Sequence, residues 1–267
     1  MYASHWGLIQ SPFGPGLDPR DFFESAGHEE ALARMHFLVD EGRRCGLLLG
    51  PSGCGKSLLF EVFAERIRRC GRPLAKLSLI GLDPIGLVAA IADQLRIRVA
   101  PGLPPWRIWQ SLERRLREYR YQKLETVLLL DDADLAAAEV LTQVARLARH
   151  DLSADSRLTL ILAGQTERIG RIGRAVLDLA ELRIDIPAWG PRDTEAFLSG
   201  SLERAGGGGW VFAAEAIHKV HELSGGSPRK IRQLADLALL AGAGGNLEQV
   251  DAETVEAAGG QLAAIMV

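Results

Sequence analysis

The chain lacks the segments that would direct it to a membrane or out of the cell. No apolar run approaches the roughly 18 residues that are needed to cross a bilayer. The N-terminus, MYASHWGLIQSPF, has no basic region and no long apolar core, so it does not fit a secretion signal. The three cysteines, Cys45, Cys54 and Cys70, are odd in number and have no metal-ligand spacing, which is typical of reduced intracellular thiols. We therefore expect a cytoplasmic protein without a transmembrane segment.

The chain also lacks a strong excess of charge. Its net charge of -3 provides no global attraction to nucleic acid or to an acidic membrane. Hydrophobic residues make up 47% and charged residues 24% of the 267 positions, as is usual for a soluble globular protein. This length allows one large domain or two small ones.

Short apolar segments alternate with helical patterns in the first two thirds of the chain. Strands are predicted at residues 45–50, 73–80, 126–131, 157–164 and 182–186. Helices are predicted at about 29–41, 55–69, 84–96, 106–121 and 136–150. Such alternation indicates a parallel sheet with helices on both faces.

Only helical patterns follow residue 190, at 193–204, 212–223, 228–241 and 249–258. We therefore predict four parts in the chain: an irregular leader (1–27) that packs on the core, an α/β domain (28–190), a helical domain (191–260) and a C-terminal tail (261–267).

A phosphate-binding loop is predicted at residues 50–57. The stretch GPSGCGKS fits G-x-x-x-x-G-K-[ST] at every fixed position, and it lies between an apolar strand and a helix, as the motif requires. Glycine lets the backbone N–H groups face phosphate oxygens, and the helix N-terminus adds partial positive charge. Lys56 is expected to reach the β- and γ-phosphates, and Ser57 is expected to hold Mg²⁺. The predicted nucleotide contacts are Gly50, Pro51, Ser52, Gly53, Cys54, Gly55, Lys56, Ser57 and Leu58.

Three carboxylates end the apolar strand TVLLLD, in the stretch TVLLLDDAD. Carboxylates in such a place need a cation nearby, and a phosphate-binding loop in the same sheet supplies Mg²⁺. Asp131 is then predicted to hold Mg²⁺ together with Ser57. Asp132 occupies the position of the carboxylate that deprotonates the attacking water. Asp134 is predicted to cap a helix that begins at Leu135.

Two further polar residues fit an ATPase with a helical lid. Gln165 ends the strand LTLILAGQ, where it could touch the γ-phosphate or the water, although it could equally be a surface residue. Arg229 follows Ser227 and Pro228 at the start of a helix, where it could contact phosphate or be a solvated helix residue.

The stretch at 106–123 carries six basic and two acidic side chains with interleaved aromatic residues. It fits a nucleic-acid surface. It also fits an amphipathic helix that covers the sheet with Ile108, Leu112, Leu116 and Tyr119, and we favour this second interpretation.

The chain resembles the AAA+ ATPases of the general secretion pathway protein A (ExeA) type. The similarity lies in the phosphate-binding loop, LLLDDAD, LILAGQ, LRIDIPAWGPRDTEAFL and SGGSPRKIRQLADLALLAGA, and covers residues 1 to 245. The leader MYASHWGLIQSPFGPGLDPRDFFESAGHEEAL and the GGSPR motif are its most specific parts.

This resemblance implies an α/β P-loop NTPase fold of the AAA+ type, with a five-stranded parallel sheet flanked by helices and a small all-α lid domain. It implies ATP hydrolysis with Mg²⁺ and assembly into a ring or filament. It assigns Gln165 as sensor 1, Arg229 as sensor 2 and Arg183 as the arginine finger, with Arg171 and Arg174 nearby as alternatives.

The chain departs from that family in two respects. The family usually has Asp-Glu after the Walker B strand, whereas this chain has Asp131 and Asp132, so slow hydrolysis is expected. The secretion proteins also continue into a membrane span and a periplasmic domain. Because the present sequence ends at Val267, we do not extend their membrane and cell-wall roles to it.

Three functions are therefore considered. The leading hypothesis is an ATP-hydrolysing switch or motor that remodels an unidentified protein partner. The alternatives are a DNA-associated ATPase of the transposition type, which is not favoured, and a scaffold that binds nucleotide with negligible turnover.

Overall fold

The chain folds into two compact units. A computed structural model describes residues 2–14, 16–98, 100, 102–153 and 155–265, with side chains as far as residue 262. The α/β unit comprises residues 18–51 and 56–186, and the helical unit comprises residues 1–17, 52–55 and 187–267. The sequence placed this division near residue 190.

The α/β unit contains a five-stranded sheet in the order β2-β3-β4-β1-β5, with every pair parallel. Its strands are β1 (Cys45–Gly50), β2 (Leu74–Ser78), β3 (Thr126–Asp131), β4 (Leu158–Gln165) and β5 (Leu182–Asp185). The predicted fold class, with its five-stranded parallel sheet, is confirmed. Strand β2 ends two residues earlier than predicted, shortly before Gly81 turns the chain with a φ of +71°.

The helices of both units are numbered in chain order. They are α1 (Tyr2–His5), α2 (Ala26–Asp40), α3 (Lys56–Arg69), α4 (Pro84–Gln94), α5 (Pro105–Tyr121), α6 (Ala138–Ala148), α7 (Arg174–Leu177), α8 (Pro191–Arg204), α9 (Ala214–Ser224), α10 (Pro228–Gly244) and α11 (Ala252–Ile265). Short 3₁₀ turns lie at Pro19–Asp21, Ala133–Leu135 and Thr166–Ile172. Helix α2 begins earlier than predicted because Ser25 caps it by accepting a hydrogen bond from the His28 amide.

The middle of the sheet is buried on both faces. Every residue of β1 is buried, as are the first five residues of β3 and the first seven of β4. Continuous apolar strands of this kind require helices on each face of the sheet. Helix α5 covers part of it with Ile108, Trp109, Leu112 and Leu116. Tyr119 is half-buried against the same core, so the structure supports the covering role that we favoured for this helix.

The helical unit combines α8–α11 with the first part of the leader. Trp6 is buried, and its indole N–H donates to the carbonyl of Leu239 in α10 at 2.9 Å. Arg232 of α10 donates to the carbonyl of Gly16 at 3.1 Å. The sequence predicted an irregular leader packed on the α/β core. Instead, residues 2–5 are helical, and the leader's first part groups with the helical unit.

The C-terminal residues also differ from the prediction. Helix α11 continues to Ile265, through most of the stretch that was predicted as a tail from residue 261. Residues 266 and 267 lie outside the described residues. No helix in the described parts of the chain combines the length and hydropathy of a membrane span.

Candidate functional site

The predicted phosphate-binding loop lies between β1 and α3. Gly53 and Gly55 have φ angles of +78° and +99°, in a region that side chains strain to adopt. A Cβ atom on Gly53 would lie 2.7 Å from Ser227 Oγ and 3.0 Å from Arg229 Cβ, within the helical unit. Glycine is therefore needed at position 53 for both its conformation and its close packing.

Lys56 begins α3 and is held by its own loop. Its ammonium group donates to the carbonyls of Gly50 at 2.8 Å and Pro51 at 2.9 Å. Ser57 and Leu58 follow on the first turn of α3 and are half-buried. A helix N-terminus that begins with a lysine and a serine presents amide groups, positive charge and a hydroxyl oxygen, which together suit a phosphate with its cation.

Asp131, the last residue of β3, contacts the first turn of α3. Burial raises the pKa of its carboxyl group, while a hydrogen bond with the Ser57 side chain and the charge of Lys56 act in the opposite direction. The carboxylate and the Ser57 hydroxyl are thus neighbours, as a shared cation would require. Hard oxygen ligands of this type suit Mg²⁺.

Asp132 adopts a left-handed backbone conformation, with φ 56° and ψ 36°. Its amide donates to Asp131 Oδ1 at 2.9 Å, and its carboxylate Oδ2 accepts from the Ser78 hydroxyl at 2.7 Å. This conformation is uncommon for residues other than glycine, although aspartate and asparagine adopt it more readily than most. The backbone therefore turns sharply at the predicted catalytic acid.

Asp134 does not cap a helix, and that prediction was wrong. It lies in the 3₁₀ turn Ala133–Leu135, and α6 begins only at Ala138. Its buried carboxylate Oδ1 instead accepts from the backbone N–H of Gln165 at 3.2 Å. The cause is the turn at Asp132, which directs the chain back towards the end of β4 before the next helix can start.

Gln165 ends β4, which lies between β3 and β1 in the sheet. It pairs in register with Gly50, the first residue of the phosphate-binding loop. The sheet order therefore puts Gln165 at the same edge as Lys56 and Asp131. Its position between the two motifs agrees with the placement that the sequence suggested.

The two predicted arginines have different surroundings. Arg229 is the second residue of α10, and its backbone N–H donates to the Gly53 carbonyl at 3.2 Å. Arg183 lies on the edge strand β5 and forms a bidentate ion pair with Asp185, through Nε to Oδ2 at 2.8 Å and Nη2 to Oδ1 at 2.8 Å. Both members of this pair are about half exposed.

Ser78 was not identified from the sequence. It ends β2 and pairs in register with Asp131. The only available signal was its polarity at the carboxyl end of an apolar strand. That signal becomes meaningful only once β2 is known to be the neighbour of β3.

The fold and the loop between β1 and α3 are those of a P-loop protein, and the comparisons with known proteins agree. Residues 39–172 match the AAA domain family, and the chain belongs to that family. Within it, the chain resembles general secretion pathway protein A of Aeromonas hydrophila, with 26% identity over 90% of this chain and 45% of the relative. The resemblance seen in the sequence is thus confirmed.

A second curated relative is the phosphonates import ATP-binding protein PhnC 1 of Pseudomonas aeruginosa. It is 31% identical over 62% of this chain and 61% of its own length. The chain spans less than two thirds of the length of either relative.

Solved structures share the fold at low sequence identity. A Walker-type ATPase of Pyrococcus abyssi has a TM-score of 0.68 at 17% identity, covering 96% of this chain and 78% of its own. The ORC1 protein of Aeropyrum pernix, solved in complex with DNA, has a TM-score of 0.65 at 18% identity, covering 97% and 69%. At these identities the likeness establishes the fold alone.

Proposed function

We propose that the protein binds and hydrolyses Mg·ATP and acts as an oligomeric switch or motor on a protein partner. The observation that carries this proposal is the meeting of Ser57 and Asp131 at the edge of the sheet where the phosphate-binding loop begins. Membership of the AAA family and a relative named as an ATP-binding protein support nucleotide binding.

The residues fit a magnesium ion that is shared with the nucleotide. In proteins, Mg²⁺ is commonly held by one or two side-chain oxygens together with phosphate oxygens and water. Ser57 and Asp131 supply such oxygens. Among the described residues there is no group of three or more His, Cys, Asp or Glu side chains that could hold a metal by themselves. When bound, the ion would neutralise charge that develops on the phosphates.

Asp132 and Gln165 are the proposed groups that act on the attacking water. A carboxylate accepts the proton of the water as it attacks, and an amide at the end of the neighbouring strand orients the water or the γ-phosphate. Both residues lie at the carboxyl ends of adjacent parallel strands, β3 and β4. Ligands of open α/β sheets bind at that edge.

Two arginines are proposed to complete the site. Arg229 would contact the phosphates as sensor 2, a role supported by its backbone hydrogen bond to Gly53 of the phosphate-binding loop. Arg183 would act as an arginine finger towards the ATP of a neighbouring subunit in a ring or filament. Its exposure on the edge strand β5 supports this role, and Arg171 and Arg174 are the alternatives.

A DNA-associated ATPase is the second candidate. Helix α5 buries one face and leaves Arg107, Arg114 and Arg117 exposed on the other, with Trp106 59% and Tyr121 93% exposed at its two ends. Arginine and exposed aromatic rings suit a nucleic acid, and the similar ORC1 structure contains DNA. Binding to duplex DNA that weakens steeply with salt would favour this candidate.

The proposed activity is tested with Lys56→Ala. Removal of the cation near the β- and γ-phosphates should lower ATP affinity at least tenfold by calorimetry, an effect of about 1.4 kcal/mol or more. Lys123→Ala, an exposed lysine in the same unit, is the matched control and should bind ATP normally. Unchanged affinity in Lys56→Ala would exclude the loop as an ATP site. Phosphate release measured against protein concentration separates a hydrolysing oligomer from a scaffold without turnover.

A further inference from the structure

The Asp134 carboxylate is buried in an unusual environment. Asp134 is 3% exposed, and the preceding Ala133 is fully buried. Oδ1 accepts from the backbone N–H of Gln165 at 3.2 Å, while Oδ2 has no hydrogen-bond partner within the described part of the chain. A buried carboxylate oxygen without a partner is costly. Asp134 nevertheless keeps a carboxylate at this position, where one of its oxygens accepts from the backbone N–H of Gln165, so a role beyond packing is indicated.

The register of the sheet explains why the backbone N–H of Gln165 bonds to the Asp134 carboxylate. Strands β3 and β4 pair from Thr126 with Leu158 as far as Leu130 with Leu162. Beyond that point β4 continues for three residues to Gln165, whereas the chain after β3 turns away. The Asp134 side chain replaces the missing strand as the acceptor for the backbone N–H of Gln165. A partly buried backbone N–H group that lacks a partner strand is satisfied by such an acceptor.

Gly164 leaves the room that this carboxylate requires. A Cβ atom at position 164 would lie 3.1 Å from Asp134 Oδ1 and 3.4 Å from Ile172 Cδ1. The first distance is tighter than nine in ten real Cβ contacts, so an alanine would press against the carboxylate. The glycine before Gln165 and the aspartate after β3 therefore form one close-packed unit.

We propose that Asp134 is a positioning residue for ATP hydrolysis. It fixes the backbone of Gln165 to the segment that carries Asp131 and Asp132. In this way it sets the distance between the side-chain amide of Gln165, the proposed sensor, and the carboxylate of Asp132, which activates the water. This inference rests on the proposed function, because it assigns a role to Asp134 only through Gln165. Misplacement of a catalytic group by about 1 Å can lower a rate on the order of a hundredfold.

The direct test is a double-mutant cycle between Asp134 and Gln165, measured as single-turnover hydrolysis together with ATP affinity. Asp134→Ala should slow hydrolysis about tenfold or more while ATP affinity stays unchanged, since only the geometry of the hydrolytic step is disturbed. Asp134→Asn keeps an acceptor oxygen and should stay within about threefold of the natural rate. In a Gln165→Ala background, Asp134→Ala should cause little further loss, because the two residues act as one unit.

Gly164→Ala provides a second test that leaves the carboxylate in place. It should slow hydrolysis by displacing Asp134, again with ATP affinity unchanged. The matched control is Gly170→Ala, where a Cβ atom would meet nothing within 4 Å, and this variant should behave as the natural protein. If Asp134→Ala fails to fold, Gly164→Ala carries the test.

The outcomes separate this inference from the function on which it rests. If Gln165→Ala hydrolyses ATP at the natural rate, or the natural protein shows no hydrolysis, the proposed site itself fails. If Gln165→Ala is slow but Asp134→Ala is not, or their effects add, Asp134 does not act through Gln165 and the inference is overturned. An equally slow Gly170→Ala protein would likewise show that the Gly164 effect is not specific.

Discussion

The Ser78 hydroxyl donates a hydrogen bond of 2.7 Å to Asp132 Oδ2, across the ends of two neighbouring strands. The left-handed backbone at Asp132 makes this contact possible, because it turns the side chain towards β2. A hydrogen bond to a charged group is stronger than one between neutral groups. The carboxylate that we propose as the general base is therefore held by a residue outside both nucleotide-binding motifs.

We expect Ser78→Ala to slow ATP hydrolysis about tenfold without changing ATP affinity, because loss of a hydrogen bond to a charged group frees the Asp132 carboxylate. Single-turnover hydrolysis and calorimetry measure the two quantities. Ser78→Thr keeps the hydroxyl and should retain most of the rate. A Ser78→Ala protein that hydrolyses ATP faster than the natural protein would show that the hydroxyl restrains the acid instead of positioning it.

Arg183 should act only when it leaves Asp185. If Arg183 is the finger, the rate per subunit rises with protein concentration, and Arg183→Ala abolishes turnover while ATP stays bound. Asp185→Asn weakens the bidentate ion pair and should increase the rate at a given concentration. Phosphate release across a concentration series measures both effects.

The double variant Arg183→Ala/Asp185→Asn is the control for this prediction, and it should be as inactive as Arg183→Ala. A rate that is independent of concentration, together with an active Arg183→Ala protein, would exclude Arg183 and direct attention to Arg171 and Arg174.

Cys45 should be chemically inert in the folded protein. Burial raises the pKa of its thiol from 9.0 to about 12. At pH 8, a maleimide should therefore label the exposed Cys70 quickly and Cys45 only after unfolding, and Cys70→Ser should remove the rapid labelling. Mass spectrometry identifies the labelled residue. Rapid labelling of Cys45 in the native protein would contradict the buried position of β1.

The same pKa shift makes stability depend on pH in one direction. The folded-state pKa lies above the unfolded value, so the contribution of Cys45 is complete below about pH 9 and is lost as the pH rises towards 12. Over this range the free energy of unfolding should thus fall more steeply in the natural protein than in Cys45→Ala, which lacks the titrating thiol.

Local patterns predicted the strands and the strand–loop–helix arrangement around the proposed phosphate-binding loop well, because each depends on a short stretch. The loop motif contains its own glycines, and TVLLLD is apolar along its whole length. Ser78 and the contact between Asp134 and Gln165 could not be predicted in this way. Both depend on which strands are neighbours and on where each strand ends, and residues that are distant in sequence decide those features.

The packing of the leader shows the same limit. Trp6 bonds to Leu239, and Arg232 bonds to Gly16. In each pair the residues are more than two hundred positions apart, yet both belong to the helical unit. The pattern of Pro, Gly and aromatic residues in the leader predicted irregular structure, but it contained no information about which surface those residues cover.

The most direct test of the account is single-turnover hydrolysis at saturating Mg·ATP by the natural protein, Asp132→Glu and Asp132→Asn. Aspartate is one methylene shorter than glutamate, which withdraws the carboxylate by about 1 Å and can cost on the order of a hundredfold in rate. We predict slow turnover by the natural protein, faster turnover by Asp132→Glu, and almost none by Asp132→Asn although ATP still binds. A slower Asp132→Glu protein would mean that the left-handed backbone at Asp132 already brings the shorter acid into reach. Hydrolysis by Asp132→Asn at the natural rate would contradict the central claim that Asp132 activates the attacking water.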